Sequence, residues 1–347
     1  MPTFVFVSID GRVREIERPS EKEALDYVRS CGGFNPNSVA SVKFYYSKSD
    51  ALFAREKMLK FGLEKVGRPP DTVRLESTNF CNSKCVFCPR ACMTRPQGIM
   101  SMELYKKVVD ECAALKVKRV QLHNFGEPLI DKLVPEKVAY AKQVGIPITV
   151  MITNGSLMTE DVSRQLIEAG LDKVEISLDA GGKEVYEATR VGLKYDVVER
   201  NVENLVKIRN SLGKKKPFVT LLFIYRGNLE ELAKFNARWN GIADERIATN
   251  IHNWGTEDPH RVLGYYPCHR LWSSFTVLWD GRVALCCMDS DGKMILGDMN
   301  TQTIMEIWNN DRYQHIRKIH LQGVGPQMCM KCDLPVLDPV GWVGEFV

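Results

Sequence analysis

The chain has 347 residues, of which 44% are apolar and 26% are charged, and these proportions are ordinary for a globular protein. The net charge of +4 is small for this length and gives no support to a nucleic-acid-binding protein. No apolar run approaches the roughly 20 residues that cross a bilayer. The first residues lack a basic leader and a cleavage site, so we expect a cytoplasmic protein without membrane contact.

The first 70 residues are predicted to form a small α+β segment. The apolar pattern predicts strands at 3–9 and 41–46 and helices at 21–30 and 50–61. Glycine and two prolines at residues 66–70 then indicate a linker. We therefore place a domain boundary at residue 70 and assign no chemistry to residues 1–70.

From residue 71 to residue 252, apolar strands alternate with amphipathic helices. Strands are predicted at 73–77, 119–123, 147–152, 173–178, 218–224 and 246–251. Helices are predicted at 101–116 (with Ser101 as N-cap), 131–144, 159–169, 196–212 and 229–240. Six such units are too few for a closed eight-unit barrel. We predict an α/β fold, an open partial (β/α)6 barrel with functional groups on the loops after its strands.

The pattern changes after residue 253. Two apolar segments, at 275–279 and 282–286, flank Asp280-Gly281, which is a strong hairpin signal. A helix is predicted over 303–321, and a loop with two cysteines follows it. We therefore predict that residues 253–347 form a separate C-terminal metal-binding domain.

Nine of the eleven cysteines are concentrated in two groups, and Cys31 and Cys112 stand alone. In a reducing compartment, clustered cysteines indicate metal sites or catalysts rather than disulfides. Cys81, Cys85 and Cys88 form a C-x3-C-x2-C triplet directly after the first barrel strand. Three thiolates at this spacing can reach three irons of a four-iron cluster and leave the fourth iron open. The alternative is a zinc ion held by these three cysteines and Cys92.

The triplet, with the aromatic Phe87 before its last cysteine, resembles the signature of the radical S-adenosylmethionine (SAM) superfamily. This resemblance implies a [4Fe-4S] cluster whose open iron binds SAM. It also implies reductive cleavage of SAM to a 5′-deoxyadenosyl radical, which abstracts a hydrogen atom from the substrate. A reductant of the flavodoxin or ferredoxin type is the partner that such chemistry implies.

Later strand ends carry further segments that are similar to those of the superfamily. Gly126-Glu127-Pro128 resembles the motif that binds the SAM amino group, although only one glycine precedes the glutamate. The resemblance also implies cofactor contacts for Asn154, after the third strand, and for Ser177 and Asp179, after the fourth. Arg190 is similar to an arginine that pairs with the SAM carboxylate. The alternatives are a helix cap for Ser177 and a surface ion pair for Arg190.

The second cysteine group has the pattern C-x12-G-x4-C followed by C-x2-C, formed by Cys268, Gly281, Cys286, Cys329 and Cys332. A hairpin at the glycine brings the first two cysteines together, so that four thiolates can converge on one cluster. A zinc ribbon with the same ligands is the alternative. The pattern resembles the SPASM and twitch auxiliary-cluster domains. Because no cysteine follows Cys332, it implies one auxiliary [4Fe-4S] cluster, as in the twitch form.

An auxiliary cluster that accepts an electron from a substrate radical permits net oxidation of an alcohol. The resemblance to twitch proteins therefore implies a small-molecule dehydrogenase, acting on a sugar or an aminocyclitol. Cys287 is expected to point away from Cys286 and is a candidate hydrogen donor for an epimerase, or else a plain core residue. Asp289 is a candidate general base, or else a surface turn residue. A peptide-modifying maturase and a non-enzymatic, zinc-stapled interaction module are further alternatives.

Overall fold

The computed structural model describes residues 3–8, 13–17, 39–45, 65–252 and 268–332. The first part contains three antiparallel strands in the order β2-β1-β3, namely β1 (Thr3–Ser8), β2 (Val13–Glu17) and β3 (Val39–Tyr45). The strands predicted at 3–9 and 41–46 are thus confirmed, and β2 is an addition. The helices predicted at 21–30 and 50–61 lie outside the described residues.

Six parallel strands form the main part of the large sheet. They are β4 (Thr72–Leu75), β5 (Arg119–Gln121), β6 (Ile148–Thr153), β7 (Lys173–Ser177), β8 (Phe218–Tyr225) and β9 (Glu245–Asn250). Their order in the sheet is β9-β8-β7-β6-β5-β4, which is the chain order. Among the described strands β9 lies at an edge, so the barrel is open as predicted.

Helices follow the strands and cover one face of the sheet. They are α1 (Met102–Ala114), α2 (Val134–Gln143), α3 (Glu160–Glu168), α4 (Lys183–Thr189), α5 (Tyr195–Ser211) and α6 (Leu229–Trp239). Ser101 caps α1 as predicted, since its side chain accepts a hydrogen bond from Leu104 N at 3.1 Å. Within residues 65–252 and 268–332, no helix combines the length and the apolar character that a bilayer span needs.

Strand alternation separates an apolar face from a polar face. In β4, Val73 and Leu75 are fully buried in the core, while Arg74 between them points to the opposite side of the sheet. The same alternation at the end of β5 directs Gln121 and His123 to that side. The face that does not pack against the helices, called here the inner face, is therefore polar near the ends of these two strands.

The C-terminal region extends the same sheet. It contains α7 (Arg270–Ser273), β10 (Ser274–Val277), β11 (Arg282–Ala284), β12 (Ile295–Asp298), α8 (Ile304–Trp308), α9 (Asp311–Leu321) and α10 (Gln327–Met330). β10 pairs parallel to β4, and β11 and β12 continue antiparallel. The predicted hairpin at Asp280-Gly281 is present, but the region is joined to the barrel by a shared sheet.

The single helix predicted over 303–321 is wrong, because two helices, α8 and α9, occupy this segment. Asn310 is the N-cap of α9 and accepts a hydrogen bond from Tyr313 N at 2.9 Å. The amide side chain of Asn309 is bonded to both backbone groups of Val66, at 2.8 and 2.9 Å. Both asparagine side chains therefore stabilise a break. Cys329 lies in the short helix α10 rather than in the predicted loop.

A buried ion pair joins three parts of the chain: the end of β4, the segment after the first cysteine group and the C-terminal hairpin. Arg95 Nη1 donates to Glu76 Oε2 at 2.6 Å, and both side chains are almost completely buried. Glu76 also accepts from Trp279 N at 3.3 Å, and Arg95 Nε donates to Ser290 O at 2.7 Å. This pair fixes the C-terminal hairpin against the barrel.

Replacing Glu76 by glutamine is expected to lower the free energy of unfolding by about 3–5 kcal/mol, because Arg95 would stay buried without its counter-charge. Urea denaturation of anaerobically purified protein measures the effect. The control is Asp196→Asn, which breaks an exposed pair with Lys183 and is expected to leave the transition unchanged. If the Glu76→Gln protein is as stable as the wild type, the Glu76–Arg95 ion pair does not stabilise the fold.

Candidate active site

The loop after β4 carries the first cysteine group. Lys84–Cys85 forms a short antiparallel ladder with Arg190–Val191, and Cys88 N donates to Cys85 O at 3.1 Å. The three predicted ligands are partly buried, free thiols: Cys81, Cys85 and Cys88. The backbone bonds hold the loop so that all three cysteines stay at the carboxyl-terminal end of the sheet.

Burial raises the pKa of the Cys81 and Cys88 thiols, although Ser83 N and Arg90 act in the opposite direction. A metal takes thiolate ligands, so loading this site must release protons. Cys92 lies at the end of a single 3-10 turn, Pro89–Cys92, and is exposed. The proposed fourth zinc ligand is therefore less enclosed than the three cysteines of the triplet.

Gly126 allows the end of the second strand to approach the first cysteine loop. Its φ is +105°, and a Cβ atom there would lie 2.5 Å from the carbonyl oxygen of Thr78 and 2.7 Å from that of Phe80. The next amide, Glu127 N, donates to Phe80 O at 2.8 Å. One glycine before the glutamate is enough for this close approach.

The Glu127 carboxylate connects the ends of the second and third strands. It accepts hydrogen bonds from Thr153 Oγ1 (2.6 Å), Asn154 N (2.7 Å) and Leu129 N (3.1 Å). Burial raises the pKa of Glu127, although these donors and Arg190 act to lower it. The chain's own donors thus engage this carboxylate, and its contact with the SAM amino group stays a prediction.

Asp179 and Arg190 form a buried ion pair beside the first cysteine loop. Asp179 also accepts a hydrogen bond from Ile224 N at 2.9 Å, and Arg190 Nη1 lies 3.6 Å from Cys85 Sγ. Burial acts to lower the pKa of Arg190, but Asp179 and Cys85 raise it, so the guanidinium stays charged. The alternative of a surface ion pair is wrong, because the pair is buried at the predicted site.

The ring of Phe87 lies next to two guanidinium groups. The ring centroid is 5.5 Å from the Arg190 Cζ and 5.7 Å from the Arg226 Cζ. Arg226 also donates to the carbonyl of Asp179 at 3.2 Å. Arg226 was not predicted. Its sequence signal is its position directly after β8, where the fifth strand ends.

The other predicted cofactor contacts lie at the same end of the sheet. Asn154 Nδ2 donates to Asn82 Oδ1 at 2.9 Å and so links the third strand to the first cysteine loop. Ser177 is partly buried at the end of β7, and Gly182 is the N-cap of α4, so the helix-cap alternative is wrong. Pro128 opens a 3-10 turn at Pro128–Ile130.

The C-terminal region brings the second cysteine group together. Burial raises the pKa of Cys268 to about 12, and the neighbouring Cys286 adds to this rise. Burial also raises the pKa of Cys329, with further contributions from Cys286, Cys268 and Cys332. Thiols that affect one another in this way share one neighbourhood, and their joint binding of one cluster stays a prediction.

Cys287 points to a different set of residues from those around Cys286. Its Sγ accepts a hydrogen bond from Arg270 Nη1 at 3.3 Å. Burial acts to raise the pKa of Cys287, but the charges of Arg270 and Arg74 lower it below the ordinary value. Cys287 therefore lies beside arginines on the inner face, and the interpretation as a plain core residue does not describe it.

Asp289 closes the turn that follows β11. Its carboxylate accepts hydrogen bonds from Lys293 N at 2.9 Å and Met294 N at 2.8 Å, and the side chain is almost completely buried. The alternative of a surface acid is therefore wrong. Because both oxygens accept backbone amides, this geometry supports a structural role more than a general-base role.

Three residues that the sequence analysis did not select meet on the inner face, and we call Arg74, His123 and Arg270 the inner donor group. Arg74 Nη1 lies 3.3 Å from His123 Nε2. Burial, followed by the charges of Arg74 and Arg270, holds the pKa of His123 well below its usual range. The signal that was available is the strand pattern, in which Arg74 interrupts an apolar run.

The residues present suit iron–sulfur clusters at both places. The thiols of the two groups are free of disulfides. Three and four thiolates are the sets that a [4Fe-4S] cluster takes with and without an open iron. Residues 65–252 and 268–332 contain no three His, Cys, Asp or Glu side chains close enough to hold one metal ion. The cysteines of a cluster bind separate iron atoms and need not lie that close.

Family comparisons agree with this geometry. The family model described as the radical SAM superfamily matches residues 75–235. A second model, SPASM, described as an iron-sulfur cluster-binding domain, matches residues 268–333. The first match contains Cys81, Cys85 and Cys88, and the second begins at Cys268 and contains the other three predicted ligands.

Curated relatives cover different parts of the chain. The S-adenosyl-L-methionine-dependent 2-deoxy-scyllo-inosamine dehydrogenase of Niallia circulans is 26% identical over 267 residues, which are 75% of this chain and 92% of that protein. A probable GTP 3′,8-cyclase of Methanococcus maripaludis is 30% identical over 146 residues, which are 42% of this chain. The match spans only 48% of that cyclase.

A solved structure has a similar fold. The crystal structure of BtrN in complex with AdoMet and 2-DOIA is 21% identical in sequence, with a TM-score of 0.53, and the match covers 77% of this chain and 94% of that chain. The chain therefore carries a radical SAM superfamily domain, which contains the first cysteine group, and a SPASM-type iron–sulfur cluster-binding domain, which contains the second.

Proposed function

We propose that the protein oxidises an alcohol of a small polyhydroxylated molecule, a sugar or an aminocyclitol, by radical SAM chemistry. The observation that carries the proposal is the pairing of β10 with β4, which joins the region of the second cysteine group to the barrel sheet, with Cys287 beside Arg270 on the inner face. An electron acceptor at that place suits an oxidation. The relative from Niallia circulans, which is named as a dehydrogenase of an inosamine, supports the same reaction class.

Oxidation of a secondary alcohol to a ketone removes a hydrogen atom from carbon, a proton from oxygen and one electron. When bound, the first cluster with SAM supplies the 5′-deoxyadenosyl radical for the hydrogen atom, and the auxiliary cluster supplies the electron acceptor. The chain's own residues organise the first cysteine site. Glu127 connects the ends of the second and third strands, and the Arg190–Asp179 ion pair lies beside Cys85. Asp289 is not assigned the proton, because its oxygens accept backbone amides.

Both cysteine groups need reduced thiols to take up a cluster. We therefore propose a cytoplasmic location, where thiols stay reduced. A flavodoxin- or ferredoxin-type protein is the proposed electron donor. The small net charge of the chain gives no support to a nucleic-acid partner.

The test uses the full chain, reconstituted with iron and sulfide without oxygen and supplied with SAM and dithionite. We expect iron and sulfide rather than zinc in the protein, and 5′-deoxyadenosine as a product. With the correct sugar or cyclitol, mass spectrometry is expected to detect a product that has lost two hydrogens. A protein that holds only zinc, or that never cleaves SAM, contradicts the proposal.

An epimerase is the second candidate, and the position of Cys287 on the inner face, where its Sγ accepts a hydrogen bond from Arg270, favours it. Cys287→Ala separates the two reactions. For the dehydrogenase that we propose, the product lacking two hydrogens is still expected. For an epimerase, deuterium uptake from solvent is expected to stop while 5′-deoxyadenosine continues to form. Iron content measured in the same sample checks that the neighbouring Cys286 still binds its cluster.

A further inference from the structure

The inner donor group has surroundings that differ from those of the predicted SAM contacts. The pKa of Arg74 is affected by the charges of four neighbouring residues, namely Cys287, Arg270, Cys286 and Glu175. By contrast, the pKa of Arg190 is affected by the charges of Asp179, Cys85 and Tyr186. Arg270 Nη1 donates to Cys287 Sγ, next to the predicted ligand Cys286, so the inner donor group lies on the side of the auxiliary cysteines.

Arg74 is a partly buried cation for which the described residues provide no acceptor. Its only hydrogen-bond contact among the described residues is with His123 Nε2, and its Nε has no partner among them. A guanidinium has five N–H donors and no acceptor. Enclosing the Arg74 Nε without an acceptor is costly, so a ligand that accepts hydrogen bonds would complete the described part of the site.

The tautomer of His123 adds a second donor that needs an acceptor at the same place. Ile152 N, which can only donate, points at His123 Nδ1 at 3.1 Å, so Nδ1 is the acceptor. In the neutral ring Nε2 then carries the proton. Nε2–H and the Arg74 Nη1–H therefore face each other as two donors at 3.3 Å. An acceptor atom that approaches both groups from the inner face would satisfy them together.

Arg270 adds a second positive charge at the same place. It donates to Cys287 Sγ at 3.3 Å, and its charge acts on both Arg74 and His123. Glu175 is the carboxylate whose charge acts on Arg74, and it already pairs with Lys173 at 3.1 Å. A second guanidinium group, that of Arg270, thus lies beside the unsatisfied donors of Arg74 and His123.

We propose that Arg74, His123 and Arg270 recognise an oxyanion, a phosphate or a carboxylate, on the substrate. This inference rests on the proposed function and narrows its substrate class to anionic polyhydroxylated molecules. Guanidinium groups bind such oxyanions with paired, charge-assisted hydrogen bonds. The protonated amine of an aminocyclitol would be repelled here. Gln121 Oε1, which has no partner among the described residues, is available to a substrate hydroxyl.

The test measures binding of stable probes to the reconstituted protein with SAM, by anaerobic calorimetry. The probes are glucose 6-phosphate, gluconate, glucose, glucosamine and inorganic phosphate. We expect at least one anionic sugar to bind about ten-fold or more tightly than glucose, with glucosamine weakest and inorganic phosphate competing if the phosphate is preferred. The phosphate and carboxylate probes separate the two sources of the oxyanion. Failure of every anion to bind, or equal binding of glucosamine, overturns the inference.

Arg74→Gln is expected to weaken binding of the preferred anion by about ten-fold or more. Arg74→Lys keeps the charge but loses the paired donors, and it is also expected to bind more weakly, which provides a second variant. The control is Arg119→Gln, which removes the same charge from an exposed residue at the start of β5. Iron content is measured for each protein.

If Arg74→Gln loses iron but the remaining holoprotein binds the anion as before, Arg74 balances the charge of the auxiliary cluster and the inference fails. The wild-type probe series decides the question even if neither variant folds. Formation of 5′-deoxyadenosine by the wild type, measured without any probe, tests the proposed function separately. The oxyanion site can therefore fail while the proposed function stands.

Discussion

Cys85→Ala is expected to reduce 5′-deoxyadenosine formation to background, whereas Cys92→Ala is expected to leave it near the wild-type rate. Cys85 lies in the ladder with Arg190–Val191, its thiol is 3.6 Å from Arg190, and its charge acts on Cys81 and Cys88. It is therefore central to the three-thiol set. Cys92 is exposed beyond that set. Removing Cys85 leaves too few ligands to hold a cluster with one open iron.

The measurement is single-turnover SAM cleavage with dithionite, together with the iron and sulfide content of each variant. The loss for Cys85→Ala should be accompanied by a loss of about four irons per chain, because one four-iron cluster is missing. The auxiliary cluster should remain. If Cys92→Ala loses as much metal as Cys85→Ala, the first group is a four-cysteine site. That outcome would support the alternative of a zinc ion held by these four cysteines.

The regular part of the fold was predictable because its signals are local. Apolar runs of strand length alternate with helical periods from residue 72 to residue 250, and each run buries its own apolar face. The N-cap at Ser101 and the turn at Gly281 depend on neighbouring residues only. The spacing of the cysteines likewise encodes a local loop and a local hairpin. These features therefore appear in the sequence before any long-range contact is known.

The features that were missed depend on contacts between distant segments. The break between α8 and α9 depends on bonds from Asn309 to Val66, which is 243 residues away. The continuation of the barrel sheet into the C-terminal region needs β10 to pair with β4. Neither partner could be identified from the pattern around 303–321 or 275–279. Sequence periodicity gives elements, but it does not give these pairings.

The same limit explains which site residues were missed. Arg190 was selected for a cofactor role, and its buried partner Asp179 was selected for a different contact, but their ion pair was not foreseen. Arg74 and His123 come from different strands and meet only because β4 and β5 are neighbours. Arg270 joins them from the C-terminal region. The order of the strands in the sheet therefore brings two neighbouring strands and the auxiliary region together.

Cys329→Ala is expected to separate SAM cleavage from substrate oxidation. Cys329 belongs to the second group, and the neighbouring thiols Cys268, Cys286 and Cys332 affect its pKa. Its removal should cost about four irons per chain while the first cluster stays bound. The first cysteine loop keeps its own backbone bonds to Arg190–Val191. We therefore expect 5′-deoxyadenosine to form and the oxidised product to fall to background.

The matched control is Gln327→Ala, which changes an exposed residue of the same short helix, α10, and is expected to preserve both products. If Cys329→Ala still forms the oxidised product, the electron leaves the substrate by a route that does not need the second group. If it loses SAM cleavage as well, the second group supports the fold of the barrel, as its shared sheet with β4 would allow. Only loss of oxidation with continued SAM cleavage assigns the auxiliary cysteines to the oxidation itself.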